Sequence, residues 1–199
     1  MDKILTEALN DSISYDEYIA LVAQLAKEGK STAPEQTDAL ADYTLLNDKR
    51  MKRWNKVFKL PQEALAQIGR FSLPVTWLVI TESWCGDASP ALPVMNKIAV
   101  QNPQIALRIV LRDQHPELMQ QFLTNGAMSI PKLIQLQTDT KTVLGTWGPR
   151  SRKATALVQA HKEAHGSIQP EFKEELQMFY NKDKGRSIME ELLELLALK

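Results

Sequence analysis

Cysteine is almost missing from this chain: Cys85 stands alone among 199 residues. One thiol cannot close an internal disulfide, and a lone thiol suits a reducing compartment, so stability must come from packing and any thiol chemistry from a single sulfur. Histidine is nearly as scarce, at three, and with one cysteine that makes a structural zinc site improbable. Neither sign of charge is in excess. Lys plus Arg and Asp plus Glu each total 24, so the formal net charge is zero and nothing draws the whole molecule toward nucleic acid or an anionic membrane. No run approaches the roughly 18 unbroken apolar residues of a membrane span. The start, Met1-Asp2-Lys3-Ile4, lacks the cationic, apolar and small-residue succession of a secretory signal, and the expected location is the cytoplasm. The eight glycines are scattered singly, which excludes a glycine-rich phosphate loop. What remains is 44% apolar content, enough for one sizeable core.

The first sixty residues read as helical. Ser14 with Glu17 forms a capping box, Ile13 and Tyr18 are placed as its hydrophobic staple, and Gly29 ends the helix. Thr32 with Glu35 repeats the capping pattern ahead of a stripe of Leu40, Tyr43, Leu46, Met51, Trp54 and Phe58. The basic run Lys49 to Lys56 falls on the opposite face of that helix and reads as a solvated surface rather than a nucleic-acid patch. A short helix follows Pro61 and stops at Gly69.

The middle alternates in type. Val75 to Thr81 is strand-like, Asp87 to Val100 helix-like, and Ile105 to Leu111 strand-like again, which predicts parallel pairing through a crossover. Pro116 to Leu123 is helical. Lys132 to Gln137 and Thr142 to Trp147 are strands joined by four residues, which suits an antiparallel hairpin. A helix over Pro149 to Ala164 completes an α/β fold, a mixed four-stranded sheet flanked by helices. The tail holds two more helices, Pro170 to Asn181 and Ser187 to Leu198, the second opened by a capping box from Ser187 to Glu190. Its leucines 192, 193, 195, 196 and 198 are too dense for an exposed helix. They pack on the core or form a homodimer contact. The expected organisation is an N-terminal helical extension over 1–60, a core over 61–166 and a C-terminal helical extension over 167–199, packed as one unit.

Cys85 lies in Thr81-Glu82-Ser83-Trp84-Cys85-Gly86-Asp87-Ala88, at the turn from strand to helix, where unpaired amides and the helix dipole favour thiolate. His161 and His165, four apart, read as an exposed face rather than a metal pair. Trp77 reads as core and Trp84 as part of a groove.

Trp84-Cys85-Gly86 resembles the start of the thioredoxin WCGPC motif. Pro93 is similar to the kink proline of the helix that follows, Arg112-Asp113-Gln114-His115-Pro116-Glu117-Leu118 resembles a strand-end segment, and Ser129-Ile130-Pro131 resembles the stretch carrying the cis-proline. The resemblance covers roughly residues 70 to 165, and TESWCGD, IPKLI and WGPR are most similar to a bacterial branch of the thioredoxin-like superfamily. It implies a substrate groove formed by Trp84, Gly86, Asp87, Ile130, Pro131, Gly148, Pro149 and Arg150 around Cys85, and no cofactor or metal.

The chain departs from the family where the chemistry resides. Ala88 stands at the second cysteine, which rules out cycling as a dithiol reductase, and Asp87 stands at the motif proline and opposes a thiolate two residues away. The family's buried acid aligns with Val79. Arg150, with Arg152, either faces the Cys85 groove, lowering the thiol pKa or holding an anionic ligand such as glutathione, or pairs with surface carboxylates. Two functions compete. Cys85 forms mixed disulfides with a protein or a low-molecular-weight thiol, as a monothiol oxidoreductase; or the groove is a non-catalytic binding or scaffold module for an extended peptide.

Overall fold

The computed structural model describes residues 2–197, so Met1 and Leu198, invoked above, lie outside it. Four strands form one sheet in the order β2-β1-β3-β4: β1 Val75–Thr81, β2 Ile105–Leu111, β3 Lys132–Gln137 and β4 Val143–Trp147. β1 runs parallel to β2 and antiparallel to β3, and β3 and β4 make the expected hairpin. The central place of β1 explains its composition. All seven of its residues are buried, because a strand paired on both edges and covered on both faces has no position for a solvated side chain.

Nine helices surround the sheet among the described residues: α1 Asp2–Asp11, α2 Tyr15–Glu28, α3 Asp38–Val57, α4 Gln62–Gly69, α5 Ala88–Ala99, α6 Pro116–Gln121, α7 Arg152–His165, α8 Pro170–Asp183 and α9 Arg186–Ala197. The Ser14/Glu17 capping box forms as expected, and Gly29, with φ 64°, closes α2 in the left-handed conformation. The box expected at Thr32 does not form. Thr37 caps α3 instead, and Thr32 is drawn away to Glu82 and Ser83, a long-range attraction that local spacing does not reveal. The Ser187 box also fails. Ser187 lies inside α9, where the Asp183 carboxylate accepts its backbone N–H at 3.0 Å and its hydroxyl bonds to Ser151. α7 begins at Arg152 rather than Pro149, capped by Ser151, and α6 ends at Gln121.

One apolar cluster takes in residues from the sheet and from α1, α2, α3, α8 and α9. Leu192, Leu193, Leu195 and Leu196 are buried in it, so they pack on the chain's own core. Within this core Gln135 is completely buried. Its side-chain carbonyl accepts the Trp77 indole N–H at 2.9 Å and its amide donates to the Leu195 carbonyl at 3.0 Å, linking the two central strands to α9. At the outer edge, Ile13 exchanges two backbone hydrogen bonds with Ile109 of β2, at 2.9 and 2.8 Å.

Gln135→Leu strips the Trp77 N–H and the Leu195 carbonyl of their partners and leaves both buried, which costs roughly 2–4 kcal/mol. Urea unfolding measures this; a loss below about 1 kcal/mol would show that the pair is not a determinant of stability.

Candidate functional site

The site is built where β1 ends. After Thr81 the chain turns through residues 82–87 before α5 starts at Ala88, and the Cys85 N–H donates to the Glu82 carbonyl at 3.1 Å. The turn is held from beneath by a polar network. Glu82, fully buried, accepts the Thr32 hydroxyl and the Asp113 N–H, the latter at 2.9 Å. Thr32 and Ser83 each take the other's backbone N–H on a side-chain oxygen, Thr44 bonds the Ser83 hydroxyl, and Asn47 donates to the Ser83 carbonyl. Burial raises the Glu82 carboxyl above the ordinary range, partly offset by the Thr32 and Asp113 hydrogen bonds. The residue aligned with the family's buried acid, Val79, is plain core. A buried acid therefore lies three positions further along, on the turn itself.

Cys85 is 7% exposed, and its thiol donates to the Ile130 carbonyl at 3.2 Å. The Ile130–Pro131 and Gly148–Pro149 peptide bonds are both cis. Gly148, at φ 110°, lies so close that a Cβ on it would fall 2.2 Å from the Pro131 carbonyl oxygen; only glycine fits there. The motif turn, the Ile130–Pro131 segment and the loop after β4 are thus brought into mutual contact. Trp84 is half-buried under the guanidinium of Arg112, 4.9 Å from the ring centroid, and Pro149 is buried.

Asp87 gathers the charges. Arg150 pairs with one of its oxygens at 2.5 Å, and the Tyr180 hydroxyl donates to the other at 2.8 Å. Arg150 therefore faces the site as one alternative held, but its charge is committed to a carboxylate of this chain. Arg152 takes the other alternative, pairing with Glu191 and Glu194 on α9. The surroundings of the sulfur oppose an activated thiol. Burial first, and then the Asp87 charge, push the Cys85 thiol up to about 12, against the lowering pull of the Ala88 and Asp87 amides and of Arg150.

Four participants escaped the sequence reading: Glu82, Arg112, Tyr180 and Arg50, whose Nη1 lies 3.9 Å from where a Cβ on Gly86 would be. Glu82 and Arg112 stand inside segments already singled out, but only the tertiary fold shows what they touch. Arg50 was assigned to a solvated face, and Tyr180 comes from a helix far along the chain with no motif of its own. His161 stacks on Phe172, at 4.0 Å between centroids, and is not exposed as expected. Among the described residues there is no group of three or more His, Cys, Asp or Glu that could hold a metal, and no helix long and apolar enough to cross a membrane.

A parallel crossover, a hairpin and a strand-to-helix turn bearing Trp84-Cys85-Gly86 opposite Pro131 define a thioredoxin-like α/β fold. The sequence model described as thioredoxin matches residues 33–164, and the chain belongs to that family. The match begins ahead of α3 and so includes that helix. No curated protein matches. Among solved structures, the fold is similar to a protein of unknown function from Pseudomonas aeruginosa, at 18% identity and a TM-score of 0.60, covering 93% of this chain and 98% of that one. It is also similar to an HIV epitope-scaffold, at 16% identity and a TM-score of 0.58, with the same coverage of 93% and 98%.

Because the folded thiol keeps its proton to higher pH than an unfolded one, its contribution to stability is intact below about pH 8.5 and is lost progressively as pH rises toward 12. Wild type should thus lose stability faster than Cys85→Ala between pH 9 and pH 11, by up to about 1.4 kcal/mol per pH unit. Urea unfolding of both proteins across that range checks this, and parallel curves would contradict the buried, neutral thiol.

Proposed function

We propose that the protein is a thioredoxin-fold binding module whose groove at Cys85, Ile130 and Pro131 receives an extended peptide, with the thiol acting as a packed hydrogen-bond donor. The observation that carries this reading is the bond from the buried Cys85 thiol to the Ile130 carbonyl. A nucleophilic cysteine needs an accessible thiolate. Here the proton is held by a carbonyl, burial and Asp87 oppose the charged form, and the nearby cation Arg150 already serves Asp87. With Ala88 at the resolving position, no second sulfur completes a cycle. The Ile130 N–H donates to nothing among the described residues, which leaves a backbone donor for an extended ligand, and exposed Met128 adds apolar surface two residues away.

The monothiol oxidoreductase reading draws on one observation, the Ala88 and Asp87 amides still directed at the sulfur. Their pull is smaller than the opposing effects of burial and charge. The single unpaired thiol fits a reducing interior, and we place the protein in the cytoplasm.

The rate of Cys85 alkylation by iodoacetamide against pH separates the two readings. The binding module predicts slow reaction at pH 8 and a midpoint well above the free-thiol value of about 8.5. A midpoint below it, or rapid mixed-disulfide formation with oxidised glutathione, would overturn the proposal in favour of redox chemistry. A hexapeptide array probed with wild type and Cys85→Ser should give the same bound peptides at equal intensity. Binding that disappears with the thiol, or that is confined to cysteine-containing peptides, would equally count against it.

A further inference from the structure

The charges around the motif turn do not balance. Asp87 is the carboxylate shared there, and both of its oxygens are engaged, one by Arg150 at 2.5 Å and the other by Tyr180 at 2.8 Å. A second guanidinium stands beside it. Arg50 projects from α3 toward Gly86, its Nη1 lying 3.9 Å from where a Cβ on Gly86 would be. Arg50 is half-buried, has no carboxylate within ion-pair distance among the described residues, and makes one long contact, 3.4 Å to Asn47 Oδ1. The Nε of Arg150 is buried and has no acceptor either. Arg50 feels the Asp87 charge, but Arg150 is already paired with that carboxylate, so two half-buried guanidiniums share one counter-ion and one positive charge is left to be met by an arriving anion. The ordinary alternative, an exposed cation on the outer face of α3, describes Lys49 and Arg53 but not Arg50.

We propose that Arg50, beside Gly86 and the Arg150–Asp87 pair, is a receptor for a single carboxylate, so that the groove prefers a ligand bearing an acidic side chain or a free C-terminus. This rests on the binding-module reading for the rest of the ligand, while the carboxylate contact itself does not depend on the thiol. A carboxylate fits better than a phosphate because two guanidiniums facing the single Asp87 carboxylate leave one positive charge, which a monoanion neutralises and a dianion exceeds. The guanidinium also offers the planar pair of donors that a carboxylate accepts. Gly86 keeps the approach open, since a side chain at that position would stand in front of Arg50.

The test is a titration of the full chain with sodium acetate, followed by the backbone amide signals of Gly86 and Ala88 and the arginine Nε–H signals, with sodium chloride and inorganic phosphate in parallel at matched ionic strength. Acetate should produce saturable shifts at these signals that chloride does not. Arg50→Gln should weaken acetate binding about tenfold, the loss of one charge-assisted hydrogen bond. Gly86→Ala retains every charge, and its new methyl meets Arg50 at ordinary van der Waals distance, so it should fold normally and still weaken acetate. Shifts that follow chloride, or acetate binding unchanged in both variants, would overturn the receptor. Tighter binding of phosphate than of acetate would overturn the carboxylate assignment. Acetate has no peptide backbone and reports the Arg50 contact alone, so a failure of this site is distinguishable from a failure of the groove, which alkylation and the peptide array report.

Discussion

The site depends on how the Asp87 carboxylate is shared. Arg150 follows the last strand, Tyr180 belongs to α8, and Asp87 closes the motif turn, so one side chain joins three parts of the chain that are distant in sequence. The position held by proline in the family's motif carries a charge here, and that charge is answered by partners from the core and from the C-terminal extension. The extension is therefore part of the site's wall. An aspartate without Arg150 and Tyr180 would stand partly desolvated beside a thiol with both of its hydrogen-bonding partners gone. Burial of the thiol and neutralisation of Asp87 are two aspects of one packing solution.

Much of the fold was legible because its signals are local. The β1, β2 and β3 runs coincide with their predicted limits, since β-branched and apolar residues bounded by turns leave little ambiguity. The hairpin followed from a four-residue connection, and the Ser14 box from a spacing that is satisfied within one turn of helix. The same pattern at Thr32 and at Ser187 misled. There the hydroxyls found other partners, the distant Glu82 and Ser83 in one case and the distant Ser151 together with the nearby Asp183 in the other. A capping pattern states what a hydroxyl can do locally and is silent about stronger competition from afar.

The candidate site divides along the same line. Cys85, Ile130, Pro131, Gly148 and Arg150 were located by motif and order, and the structure assembles them in one place. The state of the thiol was not legible, because the turn's nominal advantages, its amides and helix start, are outweighed by burial, which no spacing encodes. Arg50 shows the opposite error. Its neighbours in sequence are exposed cations, and only the packing of α3 against α5 turns this one inward toward Gly86.

The two ends of the chain close the sheet at different times. The edge of β2 is occupied by Ile13, which leaves the ribosome well before Ile109 does, so the strand most able to pair with a neighbouring nascent chain is made with its cover already present. The opposite holds for the face around Trp77 and Gln135, whose acceptor at Leu195 follows Gln135 by 60 residues. An emerging chain has the middle of its β2 edge covered once that strand is made, yet must wait for α9 before Gln135 is satisfied.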